Sequence, residues 1–313
     1  MNSKQGVKRR IYTIGETVFD LQMVKAQPVS GRPGGAMLNT AVSLGRLGLN
    51  VSLISEFTND QLGEFILGFL KDNRVKTEYS CYFKEGKTPL AIAYLDEERD
   101  ACFTFYKDYP QDRFMIKMPA FNNNDIVLFG SFFSLEQAVR TRLVKLLQRA
   151  SDAGAMIIYD PNFRRTHLKE LPSVQRYIDE NISFADIIRG STDDFEMIFK
   201  THHIADTFKL VREKGCEHLI CTSGDRPVHF KSHRNTFALH PPNVQPVSTV
   251  GAGDSFNAGL IYSLFKLNIG KKDLCSIKKQ EWQAIVEMGM AFGASVCETF
   301  ENYISNDFAA RLS

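Results

Sequence analysis

A chain of 313 residues with 43% apolar side chains can supply the core of one large α/β domain or of two smaller ones. Lys plus Arg number 38 against 36 Asp plus Glu, a formal charge of +2, which gives no electrostatic case for nucleic acid or a charged membrane surface as partner. The basic start Lys8-Arg9-Arg10 carries no long apolar stretch that would make a signal peptide or a bilayer span, and Cys81, Cys102, Cys216, Cys221, Cys275 and Cys297 form no C-x-x-C pair, which reads as scattered reduced thiols in a cytoplasmic protein.

In chain order, β-rich runs alternate with amphipathic helical ones. Ile11–Ile14 and Val51–Ile54 read as strands, followed by a helix with Leu62, Phe65, Ile66, Phe69 and Leu70 on one face and a cap at Asn59 or Asp60. Ile126–Phe129 is the next strand, and Ser134-Leu135-Glu136-Gln137 reads as a capping box ahead of a helix ending near Ala150. Met156–Tyr159 and Leu219–Thr222 complete the strand set, and Trp282 with Ile285, Val286, Gly289 and Gly293 marks the buried face of a late helix. Such alternation predicts a mostly parallel sheet covered on both faces, with ligands gathering outside the carboxyl ends of its strands. Two stretches break the rhythm, Thr17–Pro33 and Thr88–Tyr109, with strand-like alternation at Ala91–Leu95 and Cys102–Tyr106. On their residues alone they are surface excursions too long for simple connections. His202-His203 lies in a polar, solvent-facing stretch. His229 and His233 fall in strand and turn, which is not the spacing of a zinc pair.

The chemistry concentrates in two glycine-led helix starts. Thr249-Val250-Gly251-Ala252-Gly253-Asp254-Ser255-Phe256 opens a helix carrying Leu260, Ile261, Leu264 and Phe265. Free backbone N–H groups and the positive end of the helix dipole there can hold an anion beside a carboxylate. Asp254 could take a proton from a hydroxyl attacking phosphorus, or be an ordinary helix cap. The second segment runs from Gly34-Gly35-Ala36 through Asn39 to Gly45-Arg46-Leu47-Gly48. Neither a G-x-x-x-x-G-K-[ST] loop nor a G-x-G-x-x-G after the first strand occurs, which argues against P-loop and dinucleotide-binding chemistry.

Together these segments resemble the paired signatures of the ribokinase-like (PfkB) carbohydrate kinases. Gly15-Glu16 with Asp20, Asp160-Pro161-Asn162-Phe163-Arg164 and Thr222-Ser223-Gly224 match in the same order, so the likeness spans nearly the whole chain. It implies a ribokinase-like three-layer α/β/α fold over residues 1–313 as a single kinase domain, with a small β-sheet lid from segments at about 17–33 and 88–109. It further implies dimer contact through that lid. ATP would phosphorylate a sugar hydroxyl, with Asp254 as general base and the N–H groups of Gly251, Ala252 and Gly253 as the anion hole. Asp20, Gly34, Gly35, Asn39 and Arg164 would bind the sugar, Arg164 being equally readable as a structural ion-pair partner. Thr222 and Gly224 would face the nucleotide, or form a plain hairpin. Gly15-Glu16, Gly34-Gly35-Ala36 and the Phe103–Tyr106 lid run look most like bacterial fructokinases. A free hexose such as fructose is therefore the expected acceptor, with 2-keto-3-deoxygluconate, ribose and nucleosides as competitors.

Several residues depart from the family pattern. Asp194, in Ser191-Thr192-Asp193-Asp194, stands where a longer Glu is usual near the magnesium and phosphates, the magnesium itself arriving with the nucleotide. Pro227 replaces a glycine of the nucleotide loop. Ser248 replaces the Asp of a monovalent-cation site, which counts against potassium activation. Glu56–Gly63 keeps Asp60 and Gly63 but lacks an earlier glycine, and no glycine follows Cys297. These departures keep a second class open: a sugar- or nucleotide-binding protein with little catalysis.

Overall fold

The computed structural model describes residues 9–95 and 101–312. In chain order its elements are β1 (Ile11–Ile14), β2 (Val18–Val24), β3 (Gln27–Gly34), α1 (Ala36–Arg46), β4 (Val51–Ile54), β5 (Glu56–Thr58), α2 (Gln61–Asp72), β6 (Cys81–Phe83), β7 (Lys87–Leu95) and β8 (Ala101–Asp108). Then follow β9 (Ile126–Gly130), α3 (Gln137–Asp152), β10 (Met156–Asp160), α4 (Leu171–Phe184), β11 (Ile187–Ser191), α5 (Thr192–Phe199), α6 (Ile204–Glu213) and β12 (His218–Ser223). The chain closes with β13 (Arg226–Ser232), β14 (Thr236–Leu239), α7 (Ala252–Lys266), α8 (Lys279–Cys297) and α9 (Asn306–Ala310).

The main sheet has the order β14-β13-β12-β11-β10-β9-β1-β4, parallel from β12 to β4 and antiparallel at the β13–β14 end. Its strands are buried on both faces, as near-continuous apolar runs require. Alternate side chains feed two cores. Ile11, Leu53, Leu128 and Ile158 pack with α1, α2, α7 and α8, around Leu38, Leu70, Leu260 and Trp282. Tyr12, Val127, Phe129 and Tyr159 pack with α3 to α6, around Leu143, Ile178, Phe195 and Val211. From β1 the chain adds β4 on one side and β9 on the other, so the strand order reverses at β1. The crevice for a ligand lies above that reversal.

Both anomalous stretches form one second sheet, β3-β2-β7-β8, with β2 and β7 parallel and the other pairs antiparallel. The three-layer architecture and the small lid sheet are thus as expected. All five sequence-read strands form. The side chains of Cys102 and Phe103, and Lys8, lie outside the described residues. Asp60, not Asn59, caps α2, accepting from Gly63 N at 2.8 Å. The expected capping box at Ser134 does not form. Ser134 is buried in a 3₁₀ turn, Phe132–Leu135, where its hydroxyl donates to Ser131 O at 2.8 Å, and α3 begins only at Gln137. Trp282 is fully buried against Phe230, and His202 and His203 are exposed, as read from the sequence. No helix among the described residues is long and apolar enough to cross a membrane.

Candidate active site

A cleft above β1, β9 and β10 is lined by Glu16, Asp20, Gly35, Asn39, Arg164, Gly251 and Asp254, with Phe105 and Lys107 reaching in from the lid. The sequence-read sugar residues and the Asp254 segment therefore converge in one place.

Asp254 sits in the first turn of α7, 8% exposed. Asn39 Nδ2 on α1 donates to Asp254 Oδ2 at 2.8 Å, and Thr40 Oγ1 donates to the Asp254 carbonyl at 2.9 Å. Asn39, read as a sugar contact, thus holds the carboxylate while also lining the cleft. Burial pushes the Asp254 carboxyl up to about 6. The Asn39 hydrogen bond lowers it, Asp160 raises it, and the Arg164 and Arg189 charges lower it. Gly251 precedes α7 at φ 82, where a methyl group would lie 2.2 Å from Asn302 O, so only glycine fits. The Ala252 N–H already bonds Thr249 O at 3.3 Å, which makes it the weakest of the three expected anion-hole donors.

Asp20, on lid strand β2, faces Asp254 across the cleft. Burial and the Asp254 charge push its carboxyl up to about 7, against Arg32, Arg164 and a hydrogen bond from Asn302 Nδ2 at 3.0 Å. Gly34 lies so close that a methyl group there would sit 1.9 Å from Asp20 Oδ2. Arg164 is exposed at the cleft wall and makes no ion pair among the described residues, so the structural salt bridge does not form. Asn162, at φ 39, turns the chain between β10 and Arg164, its N–H donating to Asp160 Oδ1 at 3.1 Å.

Arg189 was not singled out in the sequence. It lies on β11, 8% exposed at its side chain, pairing with Asp160 Oδ2 at 3.0 Å and donating to Thr222 Oγ1 at 2.7 Å. Its guanidinium backs Gly253: a methyl group there would lie 2.8 Å from Arg189 Nη1. A charged residue inside Ile187-Ile188-Arg189-Gly190, an otherwise buried strand, was the available signal. Thr222, the penultimate residue of β12, accordingly lies beside that cation. Gly224, at φ 59, is in the two-residue turn of the β12–β13 hairpin. Pro227 and Val228 together oppose Thr222, a bulge that spares the ladder the missing proline N–H.

Asp194 is turned away from open solution. Its Oδ2 accepts from Ser191 N at 2.6 Å as the capping box of α5, and its Oδ1 from Phe163 N at 2.6 Å. Both oxygens thereby hold backbone N–H groups, so Asp194 shapes the loops around the cleft. Ser248 Oγ accepts from Val250 N at 3.3 Å. No group of three or more His, Cys, Asp or Glu able to hold a metal occurs among the described residues.

The lid side carries a chain of charges. Lys107 Nζ reaches Glu16 Oε1 at 2.7 Å and Glu136 Oε1 at 3.3 Å, and Tyr109 OH donates to Glu16 Oε1 at 2.5 Å. Arg113 pairs with Glu136 at 3.1 Å and with the buried Glu56 at 2.5 Å. Burial lowers the Lys107 ammonium, but Glu16 and Glu136 outweigh it and hold it above its ordinary value. Beside them His167 stacks on Phe132 with ring centroids 3.7 Å apart, and Phe105 lies over it from the lid at 6.5 Å.

Among known proteins, the chain is 30% identical over 246 residues to probable fructokinase-5 of Arabidopsis thaliana, covering 75% of this chain and 74% of the relative. It is 24% identical over 261 residues to aminoimidazole riboside kinase of Salmonella typhimurium, covering 83% of this chain and 82% of the relative. A crystal structure of fructokinase with bound ATP from Xylella fastidiosa superposes with a TM-score of 0.83 at 20% identity, over 98% of each chain. The sequence model of the pfkB family carbohydrate kinases matches residues 8–308, and the chain belongs to that family.

Proposed function

We propose that this protein transfers the γ-phosphoryl group of ATP to a hydroxyl of a free hexose, with D-fructose the leading candidate. The observation that carries this reading is Asp254, buried at the N-terminal turn of α7, fixed by Asn39 and facing Asp20 across the cleft. In the reaction the acceptor oxygen bonds to phosphorus as its proton passes to the Asp254 carboxylate. The bond from phosphorus to the bridging oxygen breaks, and ADP leaves with that electron pair. The N–H groups of Gly251 and Gly253, at a helix N-terminus, suit the transferred group, with Arg189 adding charge from behind Gly253. Asp20, Gly34 and Gly35 hold the sugar, and Arg164 contacts its oxygens or the phosphoryl group. Thr222 and Gly224 border the nucleotide, and Asp194 supports this region through the Phe163 and Ser191 backbone. Magnesium bound to the nucleotide supplies charge neutralisation at the phosphates. The same reading takes residues 1–313 as one catalytic unit in the cytoplasm, with a second copy docking on the lid, where Val29 and Tyr106 are exposed.

Similarity to named fructokinases favours fructose, while the aminoimidazole riboside kinase favours a riboside. One or two pocket residues decide between such acceptors. The test is ADP release with ATP and magnesium across fructose, ribose, 2-keto-3-deoxygluconate and nucleosides, beside Asp254→Asn. Turnover with fructose, cut at least ~10²-fold in the variant, is the expected result. A variant with near-wild-type turnover removes the base from the mechanism, and turnover on another acceptor alone moves the substrate. Sugar binding without ADP release would make the protein a binder.

A further inference from the structure

Asn302 belongs to none of the segments that carry the proposed chemistry, yet it touches two of them. It lies in the tail after α8, 1% exposed. Its Nδ2 donates to Asp20 Oδ2 at 3.0 Å. Its carbonyl lies under Gly251, where an added methyl group would approach to 2.2 Å. One residue thus contacts the lid carboxylate and the turn that opens α7. The tail around it is held firmly. Arg46 donates to Glu301 Oε2 and to Ile304 O, each at 2.7 Å, and spreads over the Tyr303 ring at 4.7 Å, while Arg32 donates to Phe300 O.

The two oxygens of Asp20 are consequently unequal. Oδ2 is walled by Gly34 and bonded by Asn302, so Oδ1 is the oxygen left to accept from a ligand. A carboxylate next to Asp254 has reason to take up a proton, and an N–H donor on Oδ2 favours its ionised, accepting form. The other charges facing Asp20 are Arg32 on its own sheet and Arg164 from the loop after β10. We propose that Asn302 is a positioning residue of the acceptor site, fixing Asp20 so that Oδ1 accepts a hydroxyl of the sugar and tying that contact to the Gly251 turn. The proposal rests on the sugar-kinase reading above.

The test uses the full chain with D-fructose as probe, comparing wild type, Asn302→Ala, and the exchange pair Asp20→Asn with Asn302→Asp, each checked by thermal unfolding. For Asn302→Ala the expected result is a ~10-fold rise in KM for fructose, the loss of one hydrogen bond to a charged group. KM for ATP stays within about twofold of wild type, and the acid limb of kcat/KM moves to higher pH. The exchange pair restores the link from tail to lid but not the carboxylate at position 20, so it recovers no activity. An unchanged fructose KM in Asn302→Ala, or recovery in the exchange pair, reduces Asn302 to a structural tie and overturns the proposal. If wild type leaves fructose untouched, the hexose reading fails, and the Asn302 proposal is decided without a substrate. The carboxyl carbon of Asp20, followed by NMR, then titrates at higher pH in Asn302→Ala if the proposal holds and is unmoved if it does not.

Discussion

Burial lifts the Asp254 carboxyl to about 6 and that of Asp20 to about 7, while Asn39 and Asn302 each place an amide N–H on one oxygen and pull the other way. A base must be ionised to accept a proton, so kcat/KM climbs with pH through about 6 to 7 and levels above. A pH–rate profile flat from 5 to 8 would remove both carboxylates from the rate-determining events. Asp254 and its glycines were legible in the sequence because a helix start, a dipole and a carboxylate are local facts. Arg189 and Asn302 were not, since their roles arise from contacts with Asp160, Gly253, Asp20 and Gly251 that only the folded chain creates. Asp194 was legible only as a substitute for a longer acid. That its oxygens hold the Ser191 and Phe163 backbone, which lie apart in the chain, emerges only in the fold.

At the scale of elements, the lid is fastened by its charges. Lys107 on β8 joins Glu16, which follows β1, to Glu136, which precedes α3. Arg113 extends the chain to Glu56 on β5. Lys107→Met leaves Glu16 and Glu136 facing one another without their shared cation. Stability should change by less than ~1 kcal/mol, since the ammonium is partly solvated. Closure should suffer more: KM for the acceptor rises ~10-fold, and ADP release without acceptor increases as water gains entry. Unchanged values of both would assign closure to the apolar contacts of Phe105 alone. The strands of the main sheet were readable because burial on both faces leaves a plain apolar run. The Ser134 box misled because a capping sequence states only what a helix could use. Tertiary burial turned that serine into a 3₁₀ turn instead.

At the scale of the whole molecule, two apolar layers on one sheet enclose carboxyl groups that the unfolded chain would ionise near 3.8. Between that value and about 6 to 7 the native state holds protons the unfolded state has released, so the contribution of Asp20 and Asp254 to stability falls as pH rises. The ligand-free protein should lose thermal stability from pH 5 to 8 more steeply than Asp20→Asn, and identical slopes would contradict the raised values. One connection bears on how such a molecule is timed. Lid strand β3 ends at Gly34, and Asn39, the residue that aims Asp254, donates its own N–H to Gly35 O at 2.9 Å. Shutter and trigger are therefore cut from a single piece of chain, separated by one helical turn. In the proposed reaction a displaced lid strand would disturb the alignment of Asp254 without any signal crossing the molecule, and a vacant acceptor site would leave the nucleotide beside a catalyst at idle.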